Sequence, residues 1–221
     1  MNRSFLTVLI VALALLAPTA NAANISCDFA SVAGATIKFT GTGDKIEFPN
    51  TGAYDFAITD ATAGTLVGLS GTIGGTFNVG AITTVAGVEQ ALVTTANGSF
   101  GVFDGAKWLT ASLDLEDITV YNKLAGVING MGMANLVNIA YTGANSDLMA
   151  IKTGTNQTVV LTFQFSPLTK KSLAQLMTDG QVNSTSYSGS LSAIPEPSTL
   201  VGLAGMGLAG LVLAARRFRK S

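Results

Sequence analysis

Histidine is absent from all 221 residues. The usual general base, the commonest metal ligand and every Ser-His type of triad are therefore missing together, which removes most hydrolase mechanisms. Cysteine occurs once, as Cys27, so no disulfide can form within the chain. A lone thiol in an oxidising compartment is buried, paired between chains or incidental. Arginine is missing from residues 23–193, which hold seven Lys against twelve Asp plus Glu, a net charge near −5. That balance disfavours nucleic acid and anionic membrane surfaces as partners. Trp108 is the single tryptophan.

What is present is hydrophobic sequence at both ends and alternating sequence between them. Residues 1–22 have the three parts of a secretory signal: Arg3, an apolar run from Phe5 to Ala17, and a small-x-small site at Ala20-Asn21-Ala22. Cleavage is expected between Ala22 and Ala23, since the apolar run is short for a membrane span. Residues 23–193 then form one exported domain, long enough to bury a core.

That domain reads as mainly β. Ala35, Ile37 and Phe39 alternate with Thr36, Lys38 and Thr40; Tyr54, Phe56 and Ile58 alternate with Asp55, Ala57 and Thr59; Val159, Leu161, Phe163 and Phe165 repeat the period. Turn signals separate the runs at Gly41 to Asp44, Pro49 to Gly52, Gly74-Gly75, Asn97-Gly98 and Asp104-Gly105. Short strands with one apolar face predict an antiparallel β-sandwich of jelly-roll type. An outer-membrane barrel needs longer strands and has no use for a C-terminal helix. From Leu109 to Leu115 the apolar residues are odd-numbered, and from Ile118 to Val120 even-numbered, which predicts a β-bulge near Glu116-Asp117. Two short helices are expected. One covers 121–131, from the spacing of Leu124, Val127, Ile128 and Met131; the other starts at Ser166-Pro167, carries Leu173, Leu176 and Met177, and stops at Gly180. Tyr187, Gly189, Leu191 and Ala193 then alternate as a last strand.

Residues 194–221 are built as an address. Pro195-Glu196-Pro197-Ser198-Thr199 comes first within 194–199, and an uncharged stretch at 200–215 follows. The tail 216–221 carries Arg216, Arg217, Arg219 and Lys220. At ~1.5 Å per residue the apolar stretch reaches about 24 Å, a thin transmembrane helix for a hydrocarbon core of about 30 Å. The cations hold its end on the cytoplasmic side, which puts the body across the membrane. Gly205 with Ala209, and Gly210 with Ala214, have the small-xxx-small spacing that lets another helix approach. Two prolines keep the segment before the helix extended, in a form suited to a processing enzyme.

These residues closely resemble the PEP-CTERM sorting signal of Gram-negative bacteria that secrete exopolysaccharide. The resemblance covers only this end of the chain. It implies recognition of Pro195, Glu196 and Pro197 by a membrane-embedded exosortase, removal of the helix, and transfer from the inner membrane to the cell surface or a biofilm matrix, with exopolysaccharide as a further candidate partner.

Inside the domain the chemical signals are sparse. Asp114, Glu116 and Asp117, with Asp104 not far away, offer the hard oxygen ligands that Ca²⁺ takes, or else form an exposed acidic face. Paired carboxylates also serve glycoside hydrolysis, but nothing here separates an acid from a nucleophile. Trp108 is either core or edge packing or a surface on which sugar rings stack. Asn24, Asn97, Asn156 and Asn183 begin Asn-x-Ser/Thr sequons. The expectation is an exported, non-enzymatic surface or matrix protein without a cofactor. A carbohydrate-binding module, with or without Ca²⁺, is the alternative, and a tail-anchored periplasmic protein a further one.

Overall fold

A computed structural model describes residues 24–49, 52–95, 97–121, 128–165 and 172–194. Within the unit Asn24–Ile194 the elements are β1 (Ile25–Ser31), β2 (Ile37–Thr40), β3 (Lys45–Phe48), β4 (Phe56–Ala61), β5 (Ser70–Val79), β6 (Thr83–Val85) and β7 (Val88–Thr95). They continue with β8 (Ser99–Phe103), β9 (Trp108–Tyr121), β10 (Ile128–Ala140), helix α1 (Ser146–Thr153), β11 (Thr155–Phe165), helix α2 (Leu173–Leu176), β12 (Val182–Thr185) and β13 (Tyr187–Ile194). The fold is mainly antiparallel β with two short helices among the described residues, as the alternation predicts.

The pairings close a ring. Following hydrogen-bonded neighbours from β1 leads through β4, β5, β8, β9, β10, β11 and β13 and back to β1, antiparallel at every step. A second layer runs β12, β2, β3, β5 and β7. β5 belongs to both because it changes partners halfway: Ser70–Gly74 pair with β8, and Gly75–Asn78 with β3. Gly74-Gly75, expected as a turn, is therefore this mid-strand switch. Gly75 takes φ +132°, and a Cβ there would fall on the Asn97 carbonyl oxygen, so only glycine fits.

The bulge in β9 is where the apolar phase places it. Met133 of β10 faces Asp117 and Ala134 faces Leu115, leaving Glu116 as the extra residue. Leu109, Leu113, Leu115, Ile118 and Val120 are consequently all buried on one face despite the change in parity. Elsewhere aromatic rings pair within a mostly aliphatic core. Phe29, Phe56 and Phe100 pack together at centroid distances of 4.6–6.1 Å, and Phe39 meets Phe163 at 5.0 Å. Phe48 sits edge-on to Phe77 and to Tyr187.

Both helix expectations need correction. Ile128 and Met131 lie in β10, where Gly130 lets the strand pass over the Phe163 ring, which a Cβ would strike. The rest of that segment, 122–127, and Ser166-Pro167 lie outside the described residues. The second helix starts at Ser172: its side chain accepts from the Gln175 N–H while Gln175 returns a bond to the Ser172 N–H, a reciprocal capping box. Buried Glu89 of β7 accepts from the N–H groups of Leu173 (2.5 Å) and Ala174 (3.4 Å), fixing this helix to the sheet. Helix α1 was not foreseen. Asn145 caps it, with its side-chain oxygen 3.0 Å from the N–H groups of both Asp147 and Leu148.

Candidate functional site

Three places proposed from sequence can now be located. At the β9 bulge, Asp114 and Glu116 are exposed and Asp117 is half-buried. The Glu116 carboxylate takes a hydrogen bond of 2.5 Å from the Asn135 side chain across the strand pair. Asp104 is engaged elsewhere: its carboxylate accepts from the N–H groups of Ala106 (2.7 Å) and Lys107 (2.6 Å), and from the Tyr141 hydroxyl. Those bonds, the Tyr141 one foremost, hold the Asp104 carboxyl below its usual range. Burial, and then the adjacent Asp104, push the Tyr141 phenol up. Among the described residues no three His, Cys, Asp or Glu side chains come together as a ligand set.

Trp108 opens β9 directly after the turn that Asp104 closes. Its ring is half-exposed and lies against Phe103 at 5.1 Å and Tyr54 at 6.0 Å, with Tyr54 and Phe103 6.2 Å apart. Phe103 and Trp108 are cross-strand partners. Tyr54, expected to face the core in phase with Phe56, instead faces solvent, and its neighbour Asp55 is the buried residue. Asp55 is held there by its N–H to the Gly71 carbonyl (2.8 Å) and by the Ile73 N–H to its carboxylate (3.1 Å). A buried carboxylate needs such partners, so this anchorage sets which way Tyr54 points. Sequence reasoning found Trp108 but missed Tyr54 and Phe103. The signal for Phe103 was available, since a four-residue turn at Asp104 to Lys107 pairs the residues on either side of it.

The third place is the end of β13. Tyr187, Leu191 and Ala193 point inward and are buried, so the alternation that predicts this strand is correct. β13 is an interior strand, with β1 on one side and β11 on the other. Ile25 pairs with Ala193 and Thr155 with Ile194, and the Thr155 hydroxyl donates to the Ile194 carbonyl at 3.4 Å. Pro195 follows Ile194 with no intervening linker.

A family model for the PEP-CTERM protein-sorting motif matches residues 193–220. The chain carries a PEP-CTERM sorting signal. No curated protein and no solved structure matches the chain. The PEP-CTERM match takes in Ala193 and Ile194, so the signal begins inside the sheet it serves. Pro195, Glu196 and Pro197, the segment 200–215 and Arg216, Arg217, Arg219 and Lys220 lie outside the described residues, as do Ala20, Ala22 and Ala23. Among the described residues no helix is long and apolar enough to cross a membrane. The PEP-CTERM signal implies export and processing by an exosortase.

Proposed function

We propose that this chain is an exported protein parked in the inner membrane by its 200–215 helix, processed by an exosortase at Pro195-Glu196-Pro197, and released to the cell surface or the exopolysaccharide matrix. Its body, mainly antiparallel β, serves there by bulk or adhesion and not by catalysis. The sorting motif at 193–220, continuous with β13, is the observation that carries this reading. The absence of histidine is consistent with a non-catalytic role. The test is the intact mass of the protein from its native host, together with its cell fraction. A mass running from Ala23 to near Pro197, outside the inner membrane, is expected. Persistence of Leu200 to Ser221 in the membrane fraction would instead make it a tail-anchored periplasmic protein.

A second reading, a carbohydrate-binding module, is favoured by the exposed stack of Trp108, Phe103 and Tyr54. The acidic bulge lends it little support as a Ca²⁺ site. Asp114 is six residues along β9 from Trp108, about 20 Å at ~3.4 Å per residue. A quenching experiment on the single tryptophan, with oligosaccharide or Ca²⁺ added, separates the two readings. An unresponsive Trp108 would remove a module that acts through this stack.

A further inference from the structure

Most aromatic rings whose side chains are described are buried: Phe29, Phe39, Phe48, Phe56, Phe77, Phe100, Tyr141, Phe163 and Tyr187 all lie in the core. The three that are not, Tyr54, Phe103 and Trp108, touch one another. They meet at interplanar angles of 27–34°, whereas Phe48 packs edge-on against its core partners. Tyr54 and Trp108 are 36 % and 38 % exposed and Phe103 is half-buried, so the three rings present one contiguous aromatic edge to water.

The sheet around the rings has a regular outer face. The registers of β5, β8 and β9 align Ser70 with Phe103 and Trp108, then Thr72 with Gly101 and Thr110, then Gly74 with Ser99 and Ser112. The residues between them, Gly71, Ile73, Phe100, Val102, Leu109 and Ala111, form the buried face. Gly101 is itself buried on this face, and the Trp108 ring lies close over it: a Cβ there would stand 3.2 Å from that ring and 3.2 Å from the Thr72 hydroxyl. None of these nine outward positions bears a charge, and five carry hydroxyls. Asp104, next to Phe103 in the chain, already accepts from two N–H groups and the Tyr141 hydroxyl.

We infer that the outer face of β5, β8 and β9 binds a neutral polysaccharide chain, with Tyr54, Phe103 and Trp108 as the stacking end and the Ser/Thr rows as the hydrogen-bonding floor. The inference rests on the carbohydrate-binding reading and names its surface and ligand class. Pyranose rings present C–H groups on one face and hydroxyls at the rim, which suits aromatic faces beside short hydroxyl side chains. An acidic polysaccharide would find no cation among the nine positions, and a protein partner would gain little from the small side chains beyond the rings.

The experiment uses the protein purified from its host. Cellohexaose, laminarihexaose and mannohexaose are the neutral probes and hexagalacturonate the acidic one, followed by Trp108 emission and by calorimetry. A neutral hexasaccharide should bind and alter the emission. Trp108→Ala and Tyr54→Ala should each weaken its binding roughly tenfold or more, as loss of a central aromatic anchor does. Thr110→Glu, at an exposed position, should weaken it without disturbing the core, and Asp114→Asn should leave it unchanged. If a glycan binds but tolerates all three of the first variants, the module reading stands and this surface is wrong. Preferential binding of hexagalacturonate overturns the neutral class. If none of the probes binds, both the module reading and this surface fall, while the sorting reading still stands on its mass measurement.

Discussion

Ile25 and Ala193 are cross-strand partners, so the first and last strands of the exported body are hydrogen-bonded neighbours. Only Ala23 and Asn24 separate Ile25 from the expected signal cleavage, and Ile194 abuts Pro195. Both ends therefore leave the sheet at one place, and the fold is complete only when the last strand has arrived. A chain ending after Ile194 should keep its β circular dichroism and protease resistance. One ending before Tyr187 should lose both, because β1 and β11 would each present an open edge and the pockets of Tyr187, Leu191 and Ala193 would be empty. The milder Leu191→Ala should cost about 2–5 kcal/mol in chemical unfolding, as a buried leucine truncation does.

Glu116 can be deleted and Thr119 cannot. Removing Glu116 erases the bulge and leaves Leu113, Leu115, Ile118 and Val120 in unbroken alternation, so the variant should fold. Removing Thr119 brings Ile118 and Val120 together and turns one of them outward. That should destabilise by roughly 1.5–3 kcal/mol for the lost burial alone. Thermal melts of the two deletions provide the comparison.

The Asp104 and Tyr141 pair should leave a pH signature. Hydrogen bonds hold the Asp104 pKa below its unfolded value, so its contribution is complete above the ordinary carboxylate range near 3.9 and fades as pH falls towards the folded value. The Tyr141 pKa is raised, so its contribution is complete below about 10 and fades as pH rises through the folded value. Tyr141→Phe should therefore lower the thermal midpoint at neutral pH, with the gap to wild type narrowing in strong acid and in strong alkali.

Cys27 should be inert in the folded protein. It is 2 % exposed, and burial pushes its thiol up to about 12, so almost no thiolate exists at pH 8. Iodoacetamide should leave the native chain unmodified for hours and alkylate it promptly in denaturant. Rapid native labelling would show that β1 opens readily.

Much of the fold was legible because strand signals are local. Alternation located β2, β4, β11 and β13, and a change of parity within β9 located the bulge at Glu116. The misreadings have local causes too. Apolar spacing between Leu124 and Met131 suited a helix, but Gly130, a weak helix former, lets β10 pass close over the Phe163 ring of β11. Helix α1 went unnoticed because Asn145 is an ordinary loop residue until its side chain is seen to cap two N–H groups.

By itself the sequence determined the address. The sorting motif at 193–220 is a linear motif, legible without reference to any fold. Only the tertiary structure decided that β13 is an interior strand and that Tyr54 joins Phe103 and Trp108. Those relationships depend on pairing between segments far apart in the chain. Tyr54 in particular faces outward because the adjacent Asp55 finds its hydrogen-bond partners inside the sheet, at Gly71 and Ile73.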